Sequence, residues 1–220
     1  MQAGVGTVDF YYDYISPYAY FAHAALDALA ARHGLRLRRR PMLLWAVLKA
    51  QDITPPLQRP AKREYLERDM LRSARYYDLP FNLADGFPPD FPASSHAAAR
   101  LHYAIEAARP ELAAGYAAAV FEACFVRRHD ISNAEVLAAL AAGLGLEPQW
   151  ARQAAASDAA REALRQANDE AVRRGVWGSP YWFHGGEAWF GADRVDQFRH
   201  ALESTAAGTI GKACQRESAK

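Results

Sequence analysis

Strand-forming sequence is confined to the two ends of this chain, and the stretch between them reads as helix. Val8 to Asp13 is short, β-branched and aromatic, which predicts a strand. After Pro17 the apolar positions Ala19, Ala22, Leu26, Leu29 and Ala30 recur at helical spacing, and Gly34 ends the run. Leu35 to Met42 reads as a second strand, and a helical crossover between two strands joins parallel neighbours. At the other end, Pro180–His184 and Ala188–Phe190 flank Gly185-Gly186, a hairpin signal, and Arg194–Leu202 closes as a helix. A sheet divided this way must assemble across the middle of the chain. The expectation is one α/β sheet unit in two halves, residues 1–47 and 175–205, with residues 48–174 inserted as an all-helical unit. Residues 206–220 are small and polar and read as a flexible tail.

The middle is alanine-rich. Pro55, Pro56 and Pro60 mark a loop, after which Leu66, Met70, Ala74 and Tyr77 form a helical stripe. Residues 80–93 are proline-rich and read as a second loop. Helices are predicted at about Ser95–Ala108, Glu111–Arg127 and Asp158–Arg174. Ser132-Asn-Ala-Glu135 has the form of a capping box before another.

Composition excludes several classes. With 51% hydrophobic and 23% charged residues, a chain of 220 residues has the make-up of a folded globular protein. Lys and Arg number 26 against 25 Asp and Glu, which argues against nucleic acid as a partner. No basic-then-apolar leader opens the chain and no apolar run reaches a membrane span, so the expected compartment is the cytoplasm, with no membrane partner. The two cysteines, Cys124 and Cys214, are too far apart for C-x-x-C chemistry or a zinc knuckle.

Three places can carry chemistry. Ser16 caps a helix that starts directly at the end of the first strand, where unpaired N–H groups stabilise an anion and acidify a thiol. The chain offers no thiol there, so its hydroxyl is either a plain cap or a donor to a thiolate brought by a ligand. Gly178-Ser179-Pro180 precedes a strand; a cis bond there would free the Ser179 backbone to pair with an extended ligand, whereas a trans bond would be an ordinary strand start. Asp193, in Gly191-Ala-Asp-Arg194, reads as the N-cap of the last helix, alone or in contact with an amino-acid moiety.

These residues carry a resemblance. The element order resembles the thioredoxin-fold proteins of the disulfide-oxidoreductase A group, whose first strand leads into C-P-H-C opposite a cis-proline segment. Here the matching residues are Ser16-Pro17-Tyr18-Ala19, so disulfide cycling at this site is excluded. That change resembles the kappa-class glutathione transferases and 2-hydroxychromene-2-carboxylate isomerases. Phe10-Tyr-Tyr-Asp-Tyr-Ile-Ser16-Pro17 is similar to their aromatic strand and Ser-Pro. Pro60-Ala61-Lys62 resembles their Pro-Ala-Lys, Gly175-Val-Trp-Gly-Ser-Pro180 their Gly-Val-Phe-Gly-x-Pro, and Phe190-Gly-Ala-Asp193-Arg194 their Phe-Gly-x-Asp-Arg. The likeness runs from about residue 7 to 203.

The resemblance implies a thioredoxin-like fold with a helical insertion, and glutathione as cofactor. Ser16 would be the catalytic residue facing the glutathione sulfur. The Ser179 backbone beside Pro180 would pair with the cysteinyl unit. Ala192 and Asp193 would meet the γ-glutamyl end, and Lys62 a carboxylate. The implied reaction is conversion of 2-hydroxychromene-2-carboxylate, or a related aromatic acid, to trans-o-hydroxybenzylidenepyruvate, with kappa-type transfer or peroxidase activity, or ligand binding without chemistry, as alternatives. A homodimer is also implied. Two positions depart from the family: Ile53 stands where kappa members often have Asn, and Ala192 where they often have Ser. Each loses a side-chain hydrogen bond worth about 0.5–1.5 kcal/mol.

Other residues read as structural. His96, His102, His129 and His184 lack metal-ligand spacing, so no metal is expected. Arg36–Arg40 reads as a solvated face rather than a phosphate site. Cys124 reads as core, Cys214 as incidental, and Trp45, Trp177, Trp182 and Phe87 as packing rather than an aromatic pocket.

Overall fold

The computed structural model describes residues 6–54, 59–82 and 94–204. Pro55, Pro56, Phe87, Cys214 and the tail from 206, each named above, lie outside them. In chain order the elements are β1 (Thr7–Tyr12), α1 (Pro17–Arg32), β2 (Arg36–Pro41), α2 (Leu44–Lys49), α3 (Pro60–Tyr76), α4 (His96–Ala108), α5 (Ala113–Phe125), α6 (Ala134–Ala142), α7 (Pro148–Ala156), α8 (Asp158–Arg173), β3 (Tyr181–His184) and β4 (Glu187–Phe190). A 3₁₀ turn at Ala192–Arg194 then leads into α9, over 195–204.

The four strands form one sheet in the order β2-β1-β3-β4. β1 and β2 are parallel, as the helical crossover predicts, with Phe10 opposite Arg39. β3 returns from the far end of the chain and pairs antiparallel to β1, placing Trp182 opposite Phe10. Gly185 and Gly186 turn the β3–β4 hairpin with φ of 59° and 88°, values that favour glycine at both positions. This is an α/β, thioredoxin-like sheet with helices on both faces.

Alternation along β1 fixes what each face buries. Val8, Phe10 and Tyr12 face the main core, which runs from Phe21 and Leu26 on α1 and Phe198 on α9 to Tyr116, Phe121 and Leu137 in the helices between the two halves of the sheet. Tyr11 points the other way, into a smaller cluster with Met42, Val47, Ala171, Val176 and Tyr181. Cys124 lies in the main core as expected, and burial pushes its thiol up to about 12. Among the described residues no helix is long and apolar enough to cross a membrane.

Several local expectations need correction. The arginines of β2 are not a solvated face: Arg38 pairs with Asp9 and Arg39 with Asp27, and the Arg39 side chain is only 12% exposed. An edge strand over a helix leaves long side chains lying along the fold, where nearby carboxylates pair with them. The capping box at Ser132 does not form. The Ser132 hydroxyl turns back to Asp130, and Asn133 caps α6 through Glu135 N–H. Helices α2 and α7 add to the expected elements, and neither begins with a capping side chain of its own.

Candidate functional site

The junction of β1 and α1 is built by local sequence. Pro17 occupies the first turn of α1, where its missing N–H costs nothing. Ser16 holds extended backbone angles as N-cap, and its Oγ accepts the Ala19 N–H at 3.3 Å. The Ser16 residue is 6% exposed. Facing it is the Ser179-Pro180 peptide bond, which is cis. Two hydrogen bonds join the segments, and a third closes the β1–α1 turn. The Ser16 hydroxyl donates to the Ser179 carbonyl oxygen at 3.0 Å. The Asp13 N–H donates to Ser179 Oγ at 3.0 Å. The Ser16 N–H donates to the Asp13 carbonyl at 3.0 Å. A hydroxyl at the positive end of a sixteen-residue helix therefore sits against the backbone of the cis-proline loop.

Beside this junction lies a cleft of about 590 Å³ between α1, α3 and the turn after β4. Tyr18, one turn into α1, donates its hydroxyl to Asp69 Oδ2 at 2.5 Å. Asp69 also accepts from Arg72 at 2.9 Å and from Tyr65 at 3.4 Å. Burial pushes the Asp69 pKa up, but the bonds from Tyr18 and Arg72 outweigh it and hold the carboxyl below its usual range. The same balance read from Tyr18 is one-sided: burial first, then Asp69, raise its pKa. Asp193 and Asp196 line the opposite wall, and burial together with these carboxylates pushes Tyr77 up to about 12. Each carboxylate of the cleft has a guanidinium of its own: Asp69 pairs with Arg72, Asp193 with Arg194 and Asp196 with Arg199.

The Asp193 region differs from its expectation as a helix cap. Gly191 takes the cap position at φ 95°, and Asp193 sits inside the 3₁₀ turn with its side chain 70% exposed. Its carboxylate folds back over Gly191, where a Cβ would lie 2.5 Å from Oδ1, so the backbone angle and the space both call for glycine. Ala192 is buried, and its methyl offers no polar group. Lys62 is exposed at the start of α3. Helical spacing puts it on the same face as Tyr65, Asp69 and Arg72, one turn beyond the cleft. Ile53 is exposed on the approach to α3.

An aromatic step borders the cleft. Trp177 and Phe190 meet at 4.0 Å between ring centroids, and both are partly exposed. The contact depends on Gly178, since a Cβ there would fall 2.1 Å from the Phe190 ring. A second recess of about 670 Å³ lies on the far side of Phe190 and shares Asp193. Of the other tryptophans, Trp182 is fully buried and Trp45 half exposed near His96. His102 lies in the core, its Nδ1 hydrogen-bonded with the Tyr14 hydroxyl at 2.9 Å.

Ser16, Ser179 and Pro180 thus meet; Ala192 and Asp193 lie on the wall of the neighbouring cleft; Lys62 stands at its rim. Asp13, Tyr18 and Asp69 were missed. Only Asp13 had a signal in the sequence: an acid set directly after an aromatic strand has to be buried or turned out.

Three comparisons bear on this arrangement. Residues 7–203 match the family model described as a DSBA-like thioredoxin domain. A 2-hydroxychromene-2-carboxylate isomerase from Pseudomonas putida is 30% identical over 89% of this chain and 93% of its own length. Glutathione S-transferase kappa 1 from Homo sapiens is 24% identical over 94% of this chain and 95% of its own length. A solved structure of 2-hydroxychromene-2-carboxylate isomerase superposes with a TM-score of 0.78 at 27% identity, covering 96% of this chain and 98% of that one.

Proposed function

Because this chain belongs to the DSBA-like thioredoxin family, alongside the 2-hydroxychromene-2-carboxylate isomerases and kappa-class glutathione transferases, we propose that it is a glutathione-dependent isomerase of 2-hydroxychromene-2-carboxylate or a closely related aromatic acid. The observation that carries the reading is the Ser16 hydroxyl at the α1 N-terminus, set against the cis Ser179-Pro180 loop where a redox relative has its thiol. A site with the geometry for a thiolate and no thiol of its own fits a thiol that arrives with a ligand.

The chain's residues fit glutathione. Ser16 turns its hydroxyl from the Ser179 carbonyl to the incoming sulfur, and the helix terminus adds a favourable field for the anion. That exchange releases the Ser179 carbonyl to accept from an extended peptide backbone. Asp193 and Asp196 would receive the γ-glutamyl ammonium in exchange for their arginine partners, and Arg72 would face the accompanying carboxylate. Lys62, at the rim, takes the other carboxylate. Ala192 contributes its backbone alone. When bound, glutathione would supply a nucleophilic sulfur that adds reversibly to the conjugated system and leaves again after rotation about the resulting single bond, so that it is regenerated. The protein's part is to hold a sulfur anion ready and to place it.

Turnover with a limiting amount of glutathione tests this. Conversion of the chromene carboxylate to its trans product, with all the glutathione recovered, is expected. Glutathione consumed in step with product would instead favour the kappa-type transferase, the second reading that the human relative supports. Binding without turnover of the acid, at any glutathione concentration, overturns the isomerase reading.

A further inference from the structure

Asp13 ends β1, and its residue is fully buried. A carboxyl group in that position is costly unless its oxygens are satisfied. Here they are. Oδ1 accepts the Ile15 N–H at 3.2 Å and Oδ2 the Leu44 N–H at 2.8 Å. The Ser95 hydroxyl donates to the same carboxyl group. The backbone of the residue is equally engaged, with its N–H on Ser179 Oγ and its carbonyl on Ser16 N–H. One residue therefore touches the β1–α1 turn, the cis-proline loop, the start of α2 and the residue before α4.

These bonds are not interchangeable with ordinary core packing. Leu43, the residue that precedes α2, has no capping side chain, and Oδ2 supplies that cap from another part of the chain. Oδ1 fixes Ile15, and so the turn that aims Ser16. The Ser16 Oγ to Ser179 carbonyl contact is the point where the two backbone strands of this frame converge.

We propose that Asp13 is the positioning residue of the site: its carboxylate holds the β1–α1 turn and the start of α2 in register, and so fixes where the Ser16 hydroxyl meets an incoming sulfur. The inference rests on the glutathione reading only for the identity of that sulfur. The frame itself stands on the hydrogen bonds of the chain.

Asp13→Asn tests it, because the amide keeps one acceptor oxygen and presents an NH₂ to the other donor. In the ligand-free protein, amide hydrogen exchange over residues 15–19 and 44–48 should quicken together, by about tenfold or more, with the β3–β4 hairpin unchanged. In the wild-type chain glutathione should bind roughly tenfold more tightly than S-methylglutathione, which cannot present a thiolate. In Asp13→Asn that ratio should fall to near one while S-methylglutathione binding is retained. Leu44→Pro is a second variant: it removes the N–H that Oδ2 accepts, at a first helical position that tolerates proline, and exchanges the leucine side chain packed on the smaller cluster for an apolar ring. It should reproduce the change in ratio if Asp13→Asn does not fold. Equal weakening of both ligands, or unchanged exchange in the two segments, overturns the proposal. If the wild-type chain binds neither ligand, the glutathione reading fails, and the exchange result alone decides the role of Asp13.

Discussion

The Ser16 hydroxyl donates its single proton to the Ser179 carbonyl oxygen at 3.0 Å, across a sequence separation of 163 residues. The hydrogen bond that would serve a ligand is thus already made, internally, and has to be exchanged rather than formed from nothing. A neutral internal bond traded for a charge-assisted one to sulfur favours the bound state, since bonds to ionised acceptors are about twice as strong.

Ser16→Ala should therefore act on two levels. Loss of the cap to Ala19 should cost about 1 kcal/mol of stability, seen as a lower urea midpoint at unchanged slope. Loss of the donor should lower kcat by about 10²–10³-fold, by analogy with deletion of one donor from an oxyanion site. Turnover within a factor of two of the original would remove Ser16 from the mechanism.

Ser16→Cys should yield an acidic thiol. The helix terminus stabilises the thiolate, so the rate of iodoacetamide alkylation plotted against pH should give a midpoint below the ordinary value of about 8.5. In a Cys214→Ser background, Cys124, buried with its thiol pushed up to about 12, should stay silent in the folded protein and serve as the internal control.

Gly178→Ala should disturb the aromatic step. The new methyl would enter the Phe190 ring, which is free on one side to swing outward and break its contact with Trp177. The expected cost is about 1–3 kcal/mol, with a shift in tryptophan emission. In a Phe190→Ala background the same substitution should cost much less, and a double-mutant cycle measures that coupling.

Acid should destabilise this protein from an unusually high pH. Burial lowers the pKa of His102 to about 3 and that of His23 to about 4. In the unfolded chain both titrate near 6.5. Between those values the unfolded state binds protons that the folded state refuses, so stability falls as pH falls below about 6.5. Each histidine adds a slope of up to about 1.4 kcal/mol per pH unit. Urea midpoints taken from pH 7 to pH 4 check the sign. Replacing His102 with Gln should flatten the curve.

Ile53→Asn should strengthen glutathione binding by about two- to tenfold, the worth of one added neutral hydrogen bond. Calorimetric titration of the two proteins side by side is the measurement.

The sheet was readable in the sequence because its signals are local. Val8–Asp13, Leu35–Met42 and the Gly185-Gly186 hairpin each carry their own pattern, and the observed strands match them to within about two residues. Ser16 was readable for the same reason, since Ser-Pro after a strand is a cap that any six-residue window contains. The cleft was not. Tyr18 and Asp69 are 51 residues apart, and nothing near either one announces the other. α2 was missed because its cap comes from Asp13, and Asp193 was misread as a cap because Gly191, with its left-handed φ, takes that position. Features that depend on a partner brought by the fold leave no local trace.

The pairing of β3 with β1 has a consequence in time as well as in space. During synthesis Ser16 emerges long before Ser179. At about 5–20 residues per second the intervening 163 residues take roughly 8–33 s to make. For that interval β1, α1 and β2 can assemble, yet the hydroxyl has no carbonyl opposite it and the middle of the sheet has an open flank. A ribosome that stalls in α8 leaves a chain with most of its helices and no cis-proline loop to face Ser16.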